Sequence, residues 1–507
     1  MTQVTFCVGA VCTPLFGALP GATLHAMQSK TSSIDGGHQA SAAAARMLAA
    51  KLDARVLLPG ADGYEQARRV FNAMIDRRPA VIVRCGTVED VVEGVGFARE
   101  HGLAVTVRGG GHGVAGRAVC DGGVMLDLSP MTRIAVDRVG RTATAGPGAT
   151  LGDLDRETEP FGLATPTGVV SMTGLSGLAL GGGLGWLNGK HGLTCDNLVA
   201  AEVVTATGDR VVASADENRD LLWGLRGGGG NFGVVTSFTF RLHPVARVLA
   251  GAITHPARKA RAALRLYHEF ASGCPDELST AVSLSRPGGG EPAVSIVVCH
   301  AGPFEHAGRV LGSLRRLGCE PDAITPMAYR ALQAAADGGY PPGRRHYWKS
   351  GYITEIDDAL IDVLLEFVGR MPSPASGVGL QQLHGVAARV DPSATAFPHR
   401  GDRYDCLILS QWLDPADSER NIAWTADLFD ALQPFFATGV YVNNLGDEGD
   451  DRVRQAYGRN YDRLAALKAA YDPTNLFRHN QNIEPLSAGG STTRPVAAPR
   501  DRSTYRR

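Results

Sequence analysis

Arg108-Gly-Gly-Gly-His-Gly113 is the stretch on which the reading of this chain turns. Glycines let a backbone approach a bulky ligand and adopt conformations closed to other residues. Successive N–H groups in such a run can cradle an anion, and the ring of His112 stands at its end. Strand-like segments flank it: Ala80–Cys85 and Leu103–Arg108 before, Val124–Leu128 after. By itself the run reads equally well as a glycine-rich turn with an incidental histidine.

Gly111-His-Gly-Val-Ala-Gly116 also satisfies the letter pattern of the dinucleotide fingerprint. That fingerprint needs a helix opening directly after its glycines. Residues 117–123 are polar and turn-rich and run into a strand, so the Rossmann reading fails. Two further clusters supply a different context. Gly174-Leu-Ser-Gly-Leu-Ala-Leu-Gly-Gly-Gly-Leu-Gly-Trp186 has too few side chains to make a core of its own. Arg226-Gly-Gly-Gly-Gly-Asn-Phe-Gly233 places small residues before a strand at 234–242. Three such loops in one sheet-rich region predict an extended ligand of dinucleotide size lying across them.

The surrounding pattern is α+β. A helix at 87–101, with Thr87 as cap and Gly102 as stop, joins the strands 80–85 and 103–108, which makes them parallel. Strands at 124–128, 134–137 and 142–145 predict a mixed or antiparallel sheet, and those at 198–205, 210–214 and 233–242 follow. From Leu249 the texture changes: strand-like runs alternate with amphipathic helices, predicting a second domain built on an antiparallel sheet. A helix at about 450–471 ends at Asp472-Pro473. The texture divides the chain into a leader at 1–55, a glycine-rich sheet domain at 75–248, a second domain at 249–439, a C-terminal segment at 440–486 and a tail at 487–507.

Composition narrows the function classes. The chain has 507 residues, 44% hydrophobic and 20% charged, with a formal net charge of −1. That balance leaves no electrostatic footprint for nucleic acid or an anionic membrane. The nine cysteines, at 7, 12, 85, 120, 195, 274, 299, 319 and 406, contain no CxxC pair. Their odd count and apolar settings predict buried thiols, with neither a disulfide framework nor a metal site. Residues 4–26 are apolar but broken by Pro14 and Pro20, and the first basic residue is Lys30. The expectation is a disordered leader on a cytoplasmic protein, or a secreted protein if that stretch is a signal.

Four separated segments together resemble the FAD-linked oxidases of the vanillyl-alcohol-oxidase and berberine-bridge-enzyme type. They are the run at 108–112, the stretch from Gly174 through Leu193-Thr-Cys-Asp-Asn197, residues 227–235, and Asp472-Pro-Thr-Asn-Leu-Phe-Arg478 with Asn480-Gln-Asn482. The resemblance implies a two-domain PCMH-type FAD-binding fold, in which 440–486 returns to complete the FAD-binding domain of 75–248 and an antiparallel-sheet substrate domain at 249–439 is inserted between them. It also implies a bond from His112 to the flavin 8α-carbon, which suits a neutral imidazole. Many relatives add a cysteinyl bond before the second glycine loop. Here that stretch reads Thr167-Gly-Val-Val-Ser-Met-Thr-Gly174, with no thiol near Val170, so a single link is expected. The cofactor contacts expected are Arg108, Gly109, Gly110, Gly111, His112, Gly113, Gly174, Gly177, Gly182, Asp196, Asn197, Gly230, Val235, Asn480 and Asn482.

The resemblance further implies hydride transfer from a C–H beside oxygen or nitrogen of a small organic substrate, with O2 as acceptor and H2O2 as product. A dehydrogenase using another acceptor, or a cyclase-like or catalytically silent flavoprotein, stays open. A base is needed on the substrate side. The family's Tyr-x-Asn-Tyr pattern reads Tyr441-Val-Asn-Asn444 here, so Tyr441 is a candidate base or orienting group and the last tyrosine is lost. Period-two spacing offers Gln382 and His384 on one strand face, and Tyr347 and Lys349 on another.

Overall fold

A computed structural model describes residues 42–317 and 323–486. Most of the expected leader and the whole of the expected tail lie outside the described residues. The described part of the leader is ordered structure: the helix Ala42–Leu52 buries Ala44, Ala45, Leu48 and Leu52 in the first core. The strand Val56–Leu57 then pairs with the strand at 81–84, so the nucleotide domain begins well upstream of residue 75.

The first sheet has four strands, in the order Val56–Leu57, Val81–Arg84, Val124–Asp127, Val105–Arg108. The last three are mutually parallel, as the crossover helix Val88–Glu100 requires. Its cap is a complete capping box: the Thr87 side chain accepts from the Asp90 N–H, and Asp90 accepts from the Thr87 N–H at 3.0 Å. The strand at 124–127 belongs to this sheet and does not join those at 134–137 and 142–145. These enter a second, five-stranded antiparallel sheet, ordered Ile134–Asp137, Thr142–Ala145, Val234–Arg241, Leu198–Val204, Arg210–Ser214.

The inserted domain carries the expected antiparallel sheet, of seven strands spanning 247–412. Helices Ala260–Ala271, Asp358–Gly369 and Ser418–Leu432 cover one face, around Leu264, Leu364, Leu428 and Trp424. The opposite face is turned to the nucleotide domain and roofs a cavity. The chain then returns through Asp450–Tyr457 and Tyr461–Tyr471, two helices where one was expected, broken at Gly458 with φ +46°.

A buried ion pair fastens this return. Lys468 and Asp472 are both 0% exposed and 2.6 Å apart. Asp472 also accepts from the Leu476 and Phe477 N–H groups, each at 2.8 Å, which folds the chain back after Pro473. Lys468 donates onward to the carbonyls of Asn231 at 2.8 Å and Phe477 at 3.0 Å. One ammonium group thus ties the last helix to the end of the third glycine run. Among the described residues, no helix is long and apolar enough to cross a membrane.

Candidate active site

The three glycine runs converge on one cavity of about 500 Å³ between the two sheets and the roof. The first two runs touch backbone to backbone. A Cβ on Gly110 would lie 2.5 Å from the Gly174 Cα, and one on Gly109 would lie 2.1 Å from Ser176 Oγ. The third run is tied to the second by the Gly229 N–H donating to the Leu180 carbonyl at 2.9 Å. Gly113, Gly177 and Gly230 serve differently: they line the cavity, and a Cβ on any of them would meet no protein atom within 4 Å. The first class lets the loops touch; the second leaves a smooth trough that side chains would fill.

His112 lies on the wall of this trough. Its ring stacks on Phe71, centroids 4.0 Å apart and planes 13° off parallel. The far face of Phe71 stacks on His346 at 4.2 Å. Phe71 is held by its N–H donating to the Gly111 carbonyl at 3.0 Å. Next to it, Asn72 donates 2.9 Å bonds to the carbonyls of Val114 and His346 and so joins both domains. His112 Nε2 is buried and has no hydrogen-bond partner. Burial pulls the imidazole pKa down to about 4, so the ring is neutral at pH 7 with a lone pair to offer. Val170 also lines the cavity, none of the six described cysteines does, and all six are free thiols.

An unpartnered nucleophilic nitrogen beside a glycine trough fits a flavin dinucleotide. Of the other expected contacts, Gly111, Val235 and Asn480 line the cavity, and Asn480 donates to the Gly230 carbonyl at 3.2 Å while its own oxygen lacks a partner. Five residues do not line it. Arg108 is bound bidentately to Asp127, at 2.6 and 3.0 Å, and reaches the Ala67 carbonyl behind the strand. Asp196 is taken by the buried guanidinium of Arg400 at 2.7 Å. Asn197 donates to the carbonyls of His191 and Leu193, each at 2.9 Å. Gly182, with φ +125°, accommodates the Phe397 ring, and Asn482 is likewise outside the lining. These are the struts of the trough, and glycine-rich flanks gave no sign of which side each would face.

The substrate side holds a group that the sequence reading missed. Asp405, in the strand Arg403–Trp412, lines the cavity and is only 5% exposed. Its Oδ2 accepts from the Asn444 side-chain amide at 2.7 Å, while Oδ1 has no partner. Burial raises its carboxyl pKa to about 7, against the opposing pull of the Asn444 bond. Tyr441 lies on the same wall, but its hydroxyl already accepts from the Gly183 N–H at 3.0 Å and the Asn443 amide at 2.8 Å. Its burial holds the phenol well above its ordinary pKa. Tyr441 therefore props the second glycine run and is a poor base.

Gln382 and His384 are not at the cavity. Gln382 accepts from Thr280 Oγ1 and donates to the Ala271 carbonyl, each at 2.7 Å, on the helix-covered side. His384 packs against Gly189. The cavity face of that strand is Gly377, Gly379 and Gln381, one residue out of step. Lys349 pairs with Glu448 at 2.8 Å, and neither Lys349 nor Tyr347 lines the cavity.

The sequence pattern of the FAD binding domain matches residues 79–214, and that described as berberine and berberine like matches 440–484. The chain is 34% identical over 450 residues to (R)-6-hydroxynicotine oxidase of Paenarthrobacter nicotinovorans, covering 86% of this chain and 97% of the relative. With chitooligosaccharide oxidase of Gibberella zeae it shares 28% over 459 residues, covering 84% and 91%. Among solved structures, 6-hydroxy-D-nicotine oxidase from Arthrobacter nicotinovorans superposes with a TM-score of 0.79 at 32% identity, covering 85% of this chain and 98% of that one. Berberine bridge enzyme shares the fold at a TM-score of 0.80 and 22% identity, covering 89% and 100%.

Proposed function

The chain belongs to the FAD-linked oxidoreductases of the berberine-bridge type, and from that premise we propose a single-tether oxidase in which His112 carries the flavin and Asp405 is the base. That it is an FAD-dependent oxidoreductase acting on a small molecule follows from the family. The observation that carries the finer reading is the buried, unpartnered Nε2 of His112 on the wall of the glycine trough. FAD, when bound, supplies the hydride acceptor at a C–H beside oxygen or nitrogen and delivers the electrons to O2, giving H2O2.

The chain's own residues supply position and a proton acceptor. His112 is neutral, so Nε2 needs no deprotonation to act as nucleophile. Phe71 fixes its ring plane. Val170 stands where a second, thiol tether is expected in relatives, which supports one link. Across the cavity Asp405 accepts the O–H or N–H proton of the substrate on Oδ1, while Asn444 holds Oδ2 in place. Apolar lining by Leu407, Leu409 and Trp348 keeps competing water away from that oxygen.

Acid denaturation of the purified yellow protein tests the tether. Flavin is expected to stay with the polypeptide in the wild type and to become extractable in His112→Ala. Flavin freed from the wild type by acid refutes the covalent bond.

A further inference from the structure

His112 stands at the end of a stack of three rings that crosses from one domain to the other. Its imidazole covers one face of Phe71 and His346 of the inserted domain covers the other, with planes 13° and 24° off parallel. Trp348 stands edge-on to Phe71 and to His346, with centroids 6.3 and 5.8 Å away. The backbone beneath the stack is sewn to the roof. The Asn72 side chain accepts from the His346 N–H and donates to the His346 carbonyl, each at 2.9 Å. The Ala73 N–H donates to the Arg344 carbonyl at 2.9 Å. Residues 71–73 thus run beside the strand Arg345–Ile353, which is an edge of the seven-stranded sheet.

His346 is 1% exposed, and neither of its ring nitrogens has a hydrogen-bond partner. Burial pulls its pKa down to about 3, so it meets Phe71 as a neutral ring. An imidazole buried without hydrogen bonds is costly to keep, and what this one offers is a flat face. With a ring on each side, Phe71 cannot turn without breaking both stacks. His112 Nε2 makes no bond that would orient the imidazole by other means. We propose that His346 is a positioning residue for the tether: acting through Phe71, it sets the plane in which His112 presents Nε2. This rests on the reading of His112 as the flavin carrier. Phe71 precedes the matched residues 79–214 and His346 lies in the inserted domain. The tether is therefore prepared by the seated roof, and not by the nucleotide domain alone.

The test follows attachment of the flavin separately from its binding. Full-length protein made in riboflavin-starved cells is given FAD. Total bound flavin is read from absorbance, and attached flavin from the fluorescence that stays with the polypeptide in acid. His346→Leu fills the space behind Phe71 without a flat face. It is expected to bind FAD to the wild-type level and to attach it ~10-fold more slowly, the rate equivalent of one lost ring stack. Phe71→Leu is expected to slow attachment at least as much. His346→Phe keeps the face and drops the unbonded nitrogens, so attachment is expected at the wild-type rate.

Attachment at the wild-type rate in His346→Leu overturns the proposal. So does His346→Phe as slow as His346→Leu, which assigns the work to the imidazole nitrogens and not to the stack. Should His346→Leu fail to hold FAD, the other two variants decide: His346→Phe fast with Phe71→Leu slow supports the stack, and equal rates overturn it. Failure of the tether reading looks different. Acid then frees flavin from the wild type itself, and both readings fall, whereas a wild type that keeps its flavin beside an unslowed His346→Leu sinks the positioning role alone.

Discussion

Replacing Lys468 by Met removes the cation from a pair whose two members have no exposure to solvent. The Asp472 carboxylate is left buried with the Leu476 and Phe477 N–H groups but no countercharge. The carbonyls of Asn231 and Phe477 lose their shared donor in the same step. Breaking one side of a buried pair costs about 3–5 kcal/mol, and the lost carbonyl bonds place this site at the upper end. In the double variant Lys468→Met with Asp472→Asn no charge is stranded, and the asparagine oxygen still accepts from one of the two loop N–H groups. The double variant is therefore expected to be more stable than Lys468→Met by ~1–3 kcal/mol, a coupling that a double-mutant cycle isolates. Guanidinium unfolding of the FAD-loaded proteins, followed by ellipticity and by flavin fluorescence, measures both quantities. Flavin fluorescence should rise first in Lys468→Met, because Asn231 carries the third glycine run. A cost below about 1 kcal/mol, or strictly additive effects, refutes the clamp as described.

Two further outcomes follow from the same geometry. Gly177→Val is expected to fold normally and to purify with little FAD, since the added side chain meets no protein atom and projects into the trough; Gly110→Ala is expected to lose stability by about 1–3 kcal/mol or more, because its Cβ would lie 2.5 Å from the Gly174 backbone. Absorbance of bound flavin per polypeptide and thermal melting separate the two effects. For Asp405 the basic form is the active one, so the rate of anaerobic flavin bleaching should rise with pH through about 7 and then level off. Asn444→Leu removes a bond that lowers this pKa, and the limb should move to higher pH; a profile that stays in place argues against Asp405 as base.

Much of this was legible in the chain. The three glycine runs mark a trough because no other residue type tolerates both loop contact at Gly110 and open wall at Gly177. That His112 lines this trough follows from its place at the end of one run. Strand parity was not legible for 377–383: alternation states that Gln381 and Gln382 face opposite ways and leaves open which way. The clue was present in Gly377 and Gly379, small residues on the cavity side, opposite Val378 and Leu380 in the helix-covered core. Asp405 was hidden as a single acid between Tyr404 and Cys406, with no local pattern to set it apart. Its meaning depends on Asn444, 39 positions away and bonded to it at 2.7 Å. The loss of the family's second tyrosine at position 444 was visible; that the replacement amide holds a carboxylate is a tertiary fact. The charges of Arg108 and Asp196, expected at the cofactor, meet the in-chain partners Asp127 and Arg400, which no local pattern announced.

The return of residues 440–486 to the nucleotide domain also sets an order of events during synthesis. Asn231 waits for Lys468, its side-chain oxygen for the Ile483 N–H, and the Gly230 carbonyl for Asn480. The ribosome must therefore make the whole inserted domain before the trough opened by the early glycines can close. Contacts of such sequence separation form slowly, and the first half of the nucleotide domain stays unfinished meanwhile, with apolar surface exposed. Flavin capture then becomes the last act of folding rather than a seed for it. Shortening the chain from its C-terminal side should abolish cofactor retention while leaving residues 79–214 intact in sequence.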